Sequence, residues 1–215
     1  VRVAWSCVSV IDPLFTLPLL FMVVVATVKR SANAARLGIA FAFVYMLLGF
    51  LQHERAVEAC LSAADAHGHT VDRVSIHPSI GNLVLWRTLY ESKGRIYADA
   101  IRVLPWKTTY FEGKSLPKYI PERNALGLAT DSIAYGDIKR FQHFSDDWLV
   151  SLNEDAPYLL GDARYSRLPY QISPLWAIEV DPEKSDQHVR YVTNRDVPDG
   201  DLKRLIGMIV KGRLE

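Results

Sequence analysis

Hydrophobic positions are spread unevenly along this chain. Val8 to Val28 and Leu37 to Leu51 are two nearly uninterrupted apolar runs, parted by a polar stretch that holds Lys29, Arg30 and Arg36. A helix crosses the hydrocarbon core of a bilayer with roughly 20 apolar residues, about 17 at the lower end. The first run has that length. The second attains it when Arg36 and Gln52 sit at the headgroups and the arginine stem snorkels. The pattern therefore predicts a two-helix transmembrane hairpin over residues 1–55, followed by a soluble domain over residues 56–215.

One acid interrupts the first run, Asp12, and Pro13 follows it. Asp-Pro is a favourable helix start, with Asp as the cap and Pro at the first helical position. The span is then Pro13 to Val28, about 24 Å long at the α-helical rise. That is short, but a bilayer can thin locally to match it. An intramembrane carboxylate is costly and usually faces a bundle interior, where it works. Capping and a proton or metal role are therefore compatible for Asp12.

Beyond the second run the periodicity changes. Gln52 to Ala66 is rich in Ala, Glu and Leu and continues the second helix, with Gly68 as its stop. Val71 to Ile76 alternates as a strand. Leu83 to Tyr90 and Arg95 to Leu104 form a strand pair joined by Glu91-Ser92-Lys93-Gly94. Pro105 to Thr130, with prolines at 105, 117 and 121, reads as a long irregular connection. Asp131 to Phe144 reads as a helix capped by Asp131. Strands are expected at Trp148–Leu152, Tyr158–Leu160, Leu175–Val180 and His188–Val192. Asp199 to Lys211 closes the chain as a helix with Leu202, Leu205, Ile206 and Ile209 on one face. The fold class is α+β: the transmembrane hairpin, then a domain with an antiparallel sheet and a C-terminal helix.

Composition sharpens this only in part. The 49% hydrophobic and 23% charged residues look ordinary, but between Val8 and Val28 the only ionisable side chain is Asp12. A formal net charge of +1 without a long basic stripe argues against a nucleic-acid partner. Cys7 and Cys60, the only two cysteines, flank the hairpin, and nothing in their spacing forces a disulfide. No CxxC pair suggests zinc. Lys29, Arg30 and Arg36 place the short connection in the cytoplasm by the positive-inside tendency. The domain after it would then face the periplasm of a bacterial inner membrane.

Candidate chemistry is sparse. A spanning hairpin brings Asp12 and the pair His53–Glu54 to one membrane face, where a carboxylate and an imidazole could share a proton or a divalent metal. His67, His69 and His77 form a loose set that reads as surface histidines. No HExxH motif, GxSxG turn or glycine-rich phosphate loop is present. The residues alone supply no complete catalytic constellation and no cofactor-binding or metal-binding set.

Several segments taken in order are more specific. They are Trp5…Val10-Ile11-Asp12-Pro13-Leu14-Phe15-Thr16-Leu17-Pro18-Leu19-Leu20, a second span ending at His53-Glu54-Arg55, then Pro78…Asn82-Leu83-Val84-Leu85-Trp86-Arg87, and a hairpin containing Tyr97. From Trp5 to Val180 the chain resembles the C-terminal part of the bacterial inner-membrane metal-dependent hydrolases, the LexA-binding, inner-membrane-associated hydrolase family. The resemblance implies upstream membrane helices that carry an Asp pair, a His-Arg-Gly…Thr-His-Ser motif and a later His…Asp motif as metal ligands. None of these occurs in this sequence, and only Asp12 carries over as a motif residue near that centre. The expectation is thus the C-terminal portion of such a hydrolase, silent alone. Its partners would be the lipid bilayer and a missing N-terminal helical bundle, which would bring a divalent metal such as zinc. The rival expectation is a non-catalytic membrane-anchored binding module. Trp86, Tyr97 and Trp148 would then form a partner surface, unless they fill the core.

Overall fold

The computed structural model describes residues 6–9, 11–155, 157–194, 196 and 198–214. Trp5 and Val10, which carry part of the family resemblance, lie outside them. The fold mixes helices with antiparallel sheets and begins with long apolar helical structure. Asp12 has extended backbone geometry, and its side chain accepts from the N–H groups of Leu14 and Phe15. Pro13 opens α1 (Pro13–Val28), as the Asp-Pro pair predicts. The chain turns at Arg30, whose φ is positive, and Ser31 caps α2 (Ala32–Ala66) by accepting from Ala34 N–H.

The two helices pack along the first half of α2. Phe15 lies 5.2 Å from Tyr45 and 6.2 Å from Phe41 between ring centroids. Away from that seam, Leu17, Phe21 and Val24 of α1 and Ile39, Phe43, Leu47 and Phe50 of α2 are exposed. By length and composition α2 could cross a membrane, whereas α1 is a shorter apolar helix of 16 residues. Ser6 to Ser9 pass across α2 at Gly49. A Cβ there would stand 2.3 Å from the Cys7 carbonyl oxygen, so only glycine admits the crossing. Cys7 and Cys60 form no disulfide.

Two four-stranded antiparallel meanders follow. The first holds β1 (Arg73–Pro78), β2 (Leu85–Ser92), β3 (Arg95–Val103) and β4 (Thr108–Pro117). Its register pairs Trp86 with Ile101, Thr88 with Asp99 and Tyr90 with Tyr97, so these residues share one face. The second half of α2 covers that face. Ala56, Cys60 and Ala64, spaced four apart, pack on Ile76, Trp86, Tyr90, Ile101 and Val103. The other face meets Trp148, Val150 and Ala163 through Leu89, Ile96 and Ala98.

After α3 (Ile133–Phe144), the second meander consists of β5 (Leu149–Ser151), β6 (Tyr158–Asp162), β7 (Trp176–Val180) and β8 (Arg190–Thr193). α3 seals it with Ala134, Ile138 and Phe141 against Leu149, Leu160, Ile178 and Val180. A bridge from Lys118 to Val150 links the two sheets. α4 (Asp201–Ile206) continues as a π-helical turn over Gly207–Lys211.

Several expectations are corrected. The stretch read as irregular between Pro105 and Thr130 contains β4, whose one proline, Pro117, is its last residue. Ser132, not Asp131, caps α3. The single expected sheet is two. The apolar face assigned to the C-terminal helix is divided: Leu205 and Ile209 accompany buried Met208 inward, while Leu202 and Ile206 point outward. Trp86 and Trp148 are core residues, and Tyr97 is half-buried.

Candidate functional site

Three polar constellations are built into this frame. The first is the junction between α1, α2 and the sheet. Besides capping α1, buried Asp12 accepts a hydrogen bond at Oδ2 from the Tyr45 hydroxyl, 2.8 Å away. The loop before β2 reaches the same place, with Gly81 N–H donating to Ile11 O at 3.0 Å. Buried Asn82 holds that loop: its Oδ1 accepts from Val84 and Leu85 N–H, and its Nδ2 donates to Ser79 Oγ. The runs around Asp12-Pro13 and around Asn82 therefore meet in space.

Where the apolar stretch of α2 ends, polar side chains bind the helix to the sheet. Gln52 Nε2 donates to the carbonyls of Val103 (2.9 Å) and Leu83 (3.3 Å). Arg55 donates to Gln52 Oε1 and to Leu104 O. His53 sits edge-on to Trp86, 5.8 Å between centroids, with Nδ1 3.3 Å from exposed Glu54. His53 is eight residues beyond Tyr45, about 12 Å along the helix. Asp12 thus reaches Tyr45 and not His53 or Glu54. Both of its carboxylate oxygens are already engaged, and among the described residues no group of three His, Cys, Asp or Glu could hold a metal. These residues do not fit a metal centre.

The second constellation lies under the far end of α2. Asp99 is buried opposite a bulge in β4, where Glu112 and Gly113 face this one residue of β3, and it accepts from Gly113 N–H at 2.7 Å. Any Cβ on Gly113 would collide with the carbonyls of Ala98 and Tyr170, so the bulge depends on glycine. Burial raises the Asp99 pKa above the usual carboxylate range, against the lowering effect of the Gly113 and Tyr110 hydrogen bonds. Tyr90 stacks on Tyr97 at 4.8 Å, and its hydroxyl lies 2.9 Å from His69 Nδ1. Cys60 joins this cluster, its thiol pushed up to about 12 by burial, which makes it a poor nucleophile. A cleft of about 410 Å³ lies elsewhere, against Lys139, Gln142, His143, Asp146 and Asp147. The cluster can hold a proton, but it offers no activated nucleophile.

The third is Arg87, buried on the opposite face of β2. Its guanidinium donates to the carbonyls of Ala163, Arg164, Pro169 and Gln171, and so fixes the loop after β6. Burial pulls it down to about 9, partly countered by Asp162 and Asp99. Nearby His77 is not the surface residue its sequence context suggests. Burial, followed by the guanidiniums of Arg87 and Arg164, pulls it down to about 4. His67 and His69 remain neighbours, 5.9 Å between ring centroids.

Sequence reasoning missed Tyr45, Asp99 and the anchoring role of Arg87. Alternation along Arg95 to Val103 does place Asp99 between Tyr97 and Ile101 on an inward face, which is the signal that could have found it. No family model matches the sequence, no curated protein matches it, and no solved structure matches it.

Proposed function

We propose that this chain is a membrane-anchored module without a catalytic centre of its own. α1 and the first half of α2 cross a bacterial inner membrane as a hairpin, and the α+β domain stands on the periplasmic side. The observation that carries this is the set of outward apolar side chains, from Leu14 to Val28 and from Leu37 to Leu51, that the other described residues leave uncovered. The basic residues Lys29, Arg30 and Arg36 at the connection support the orientation. Gln52 and Arg55 then join anchor and domain into a stiff unit. Such a unit suits a module that presents a fixed surface near the bilayer.

A second proposal keeps the family resemblance, favoured by the meeting of the Asp12-Pro13 and Asn82 runs at Gly81 and Ile11. The chain is then the C-terminal portion of a membrane-bound metal-dependent hydrolase, with the metal ligands on other helices. Metal analysis and an esterase and phosphodiesterase screen of the purified chain separate the two from a self-sufficient enzyme. Both proposals expect no stoichiometric metal and no turnover, and stoichiometric zinc with activity would refute both. Co-expression with upstream helices of the resembling family separates them from each other, because only the second expects activity to appear. Membrane crossing is tested by alkaline carbonate extraction, and sidedness by a phosphatase reporter after Glu215. Extraction into the soluble fraction would end the anchoring claim.

A further inference from the structure

The C-terminal helix leaves an apolar stripe uncovered. Its inner side packs Leu205, Met208 and Ile209 against Leu85, Ala100 and Phe111. Its outer side carries Leu202 (65% exposed), Ile206, Val210 (66% exposed) and, beyond the helix, Leu214. These recur every four residues, and a helix aligns that spacing on one face. Exposed Lys203, Arg204 and Lys211 flank the stripe. The only carboxylate between residues 201 and 214 is Asp201, which is buried and paired with Arg167 and Arg204.

The position of this helix is informative. Arg102 donates to the carbonyls of Ile209 and Val210, at 2.7 and 2.9 Å. The next residue, Val103, accepts from Gln52, the first polar side chain after the apolar run of α2. Leu104 then accepts from Arg55, and the turn that follows displays Trp106, 82% exposed, beside Lys107. Exposed Ile80 lies in the loop that touches Ile11. The stripe, Trp106 and Ile80 thus gather at the end of the sheet where α2 leaves its apolar stretch. Tryptophan beside lysine is a membrane-interface pattern. A basic helix with a limited apolar stripe is suited to lie in the headgroup plane.

We infer that the C-terminal helix docks on the anionic lipid surface of the same membrane that α1 and α2 cross. Leu202, Ile206 and Val210 enter the acyl boundary, and Lys203 and Lys211 meet the lipid phosphates. This rests on the bilayer-crossing proposal above. Charge selects lipid over a second copy of the chain, since pairing two copies would set the same cations against each other. The domain is then held to the membrane at two places, α2 and this helix, and cannot swing about α2.

The test uses the full chain, with Cys7→Ser and Cys60→Ala, reconstituted into phosphatidylcholine vesicles with and without phosphatidylglycerol. An environment-sensitive nitrobenzoxadiazole label is placed at Val210→Cys and, as reference, at Asp72→Cys beyond the opposite end of the sheet. The expected result is a blue-shifted label at 210, quenched by shallow spin-labelled lipid when phosphatidylglycerol is present, and a water-exposed label at 72. Lys203→Ala and Lys211→Ala should each lower the docked-to-undocked ratio about fivefold. A water-exposed label at 210 in a chain that resists carbonate extraction would overturn the docking and leave the anchor standing. Loss of carbonate resistance would overturn the anchor first. Cross-linking between two copies at 210, independent of lipid charge, would assign the stripe to self-association and overturn the inference.

Discussion

One unbroken helix, α2, lives in two surroundings. Between Leu37 and Leu51 its large side chains point outward except at the seam with α1 and the crossing at Gly49, and Leu37, Ile39, Phe43, Leu48 and Phe50 are exposed. Between Gln52 and Ala66 the pattern becomes that of an ordinary amphipathic helix. Ala56, Cys60 and Ala64 make a narrow stripe of small residues pressed on the sheet, and Glu54 and Glu58 face away. The second half is stabilised by burial against its own domain. The first half gains little from that source; under the membrane-crossing proposal, an apolar solvent supplies the difference. Gln52 and Arg55 mark the change, since their hydrogen bonds to Val103 and Leu104 fix where the domain begins to hold the helix.

The largest test of this contrast is a pair of truncations. Trp86→Ala removes a fully buried side chain from the face under the second half and should cost about 3–5 kcal/mol. Phe43→Ala, on the outward side of the first half, should change stability by less than about 0.5 kcal/mol. Denaturation of the full chain in detergent measures both. A loss at Phe43 as large as at Trp86 would mean that protein, not lipid, surrounds the first half.

Acid should act on the domain and spare the first half of α2. His77 stays neutral in the fold because burial and the neighbouring Arg87 and Arg164 pull it down to about 4, with His53 adding to the effect. The unfolded chain binds that proton near pH 6.5. Stability is therefore full above about pH 6.5 and is lost as pH falls toward 4, by on the order of 2 kcal/mol. Unfolding profiles across that window should show the loss in the parent chain and a flatter slope in His77→Gln. Asp99 works with the opposite sign, since its raised pKa withdraws stability as pH climbs above the ordinary carboxylate value.

Smaller effects sharpen the boundary along α2. Ala64→Leu overpacks the contact with the sheet and should cost about 1–3 kcal/mol. Ala40→Leu, on an exposed face of the first half, should cost almost nothing. Equal penalties at 40 and 64, read by thermal unfolding, would erase the distinction. Asp12→Ala should cost about 1 kcal/mol, from the lost cap and the lost Tyr45 hydrogen bond. Asp12→Asn, which retains an acceptor, should recover most of it.

Much of this architecture is legible in the residues, for local reasons. Asp12-Pro13 marks the start of α1 because capping and the fixed proline φ act within one turn. The Ala- and Glu-rich continuation to Ala66, with Gly68 at positive φ beyond it, marks the length of α2. β2 and β3 follow from two strand-forming runs joined by a short loop that contains Gly94. Hidden features depend on contacts distant in sequence. β4 carries Glu112, Lys114 and Ser115 on a strand hydrogen-bonded along β3, so its polar residues disguise it. The C-terminal helix offers apolar residues on both sides, and only the packed sheet decides which side turns inward. In the candidate site, the capping role of Asp12 is local and readable. Its bond to Tyr45, 33 residues away, is not, and neither is the loop that four carbonyls gather around Arg87.

The most direct measurement is a spin-label accessibility scan along α2, from residue 37 to 66, with the chain in lipid bilayers. The expected result is high accessibility to oxygen and low accessibility to a water-soluble nickel chelate at outward positions from 37 to 51. Beyond Gln52 a helical period should appear, with 56, 60 and 64 shielded from both. Nickel accessibility rising and falling with that same period through 37 to 51 would place the first half in water and contradict the membrane-anchored reading.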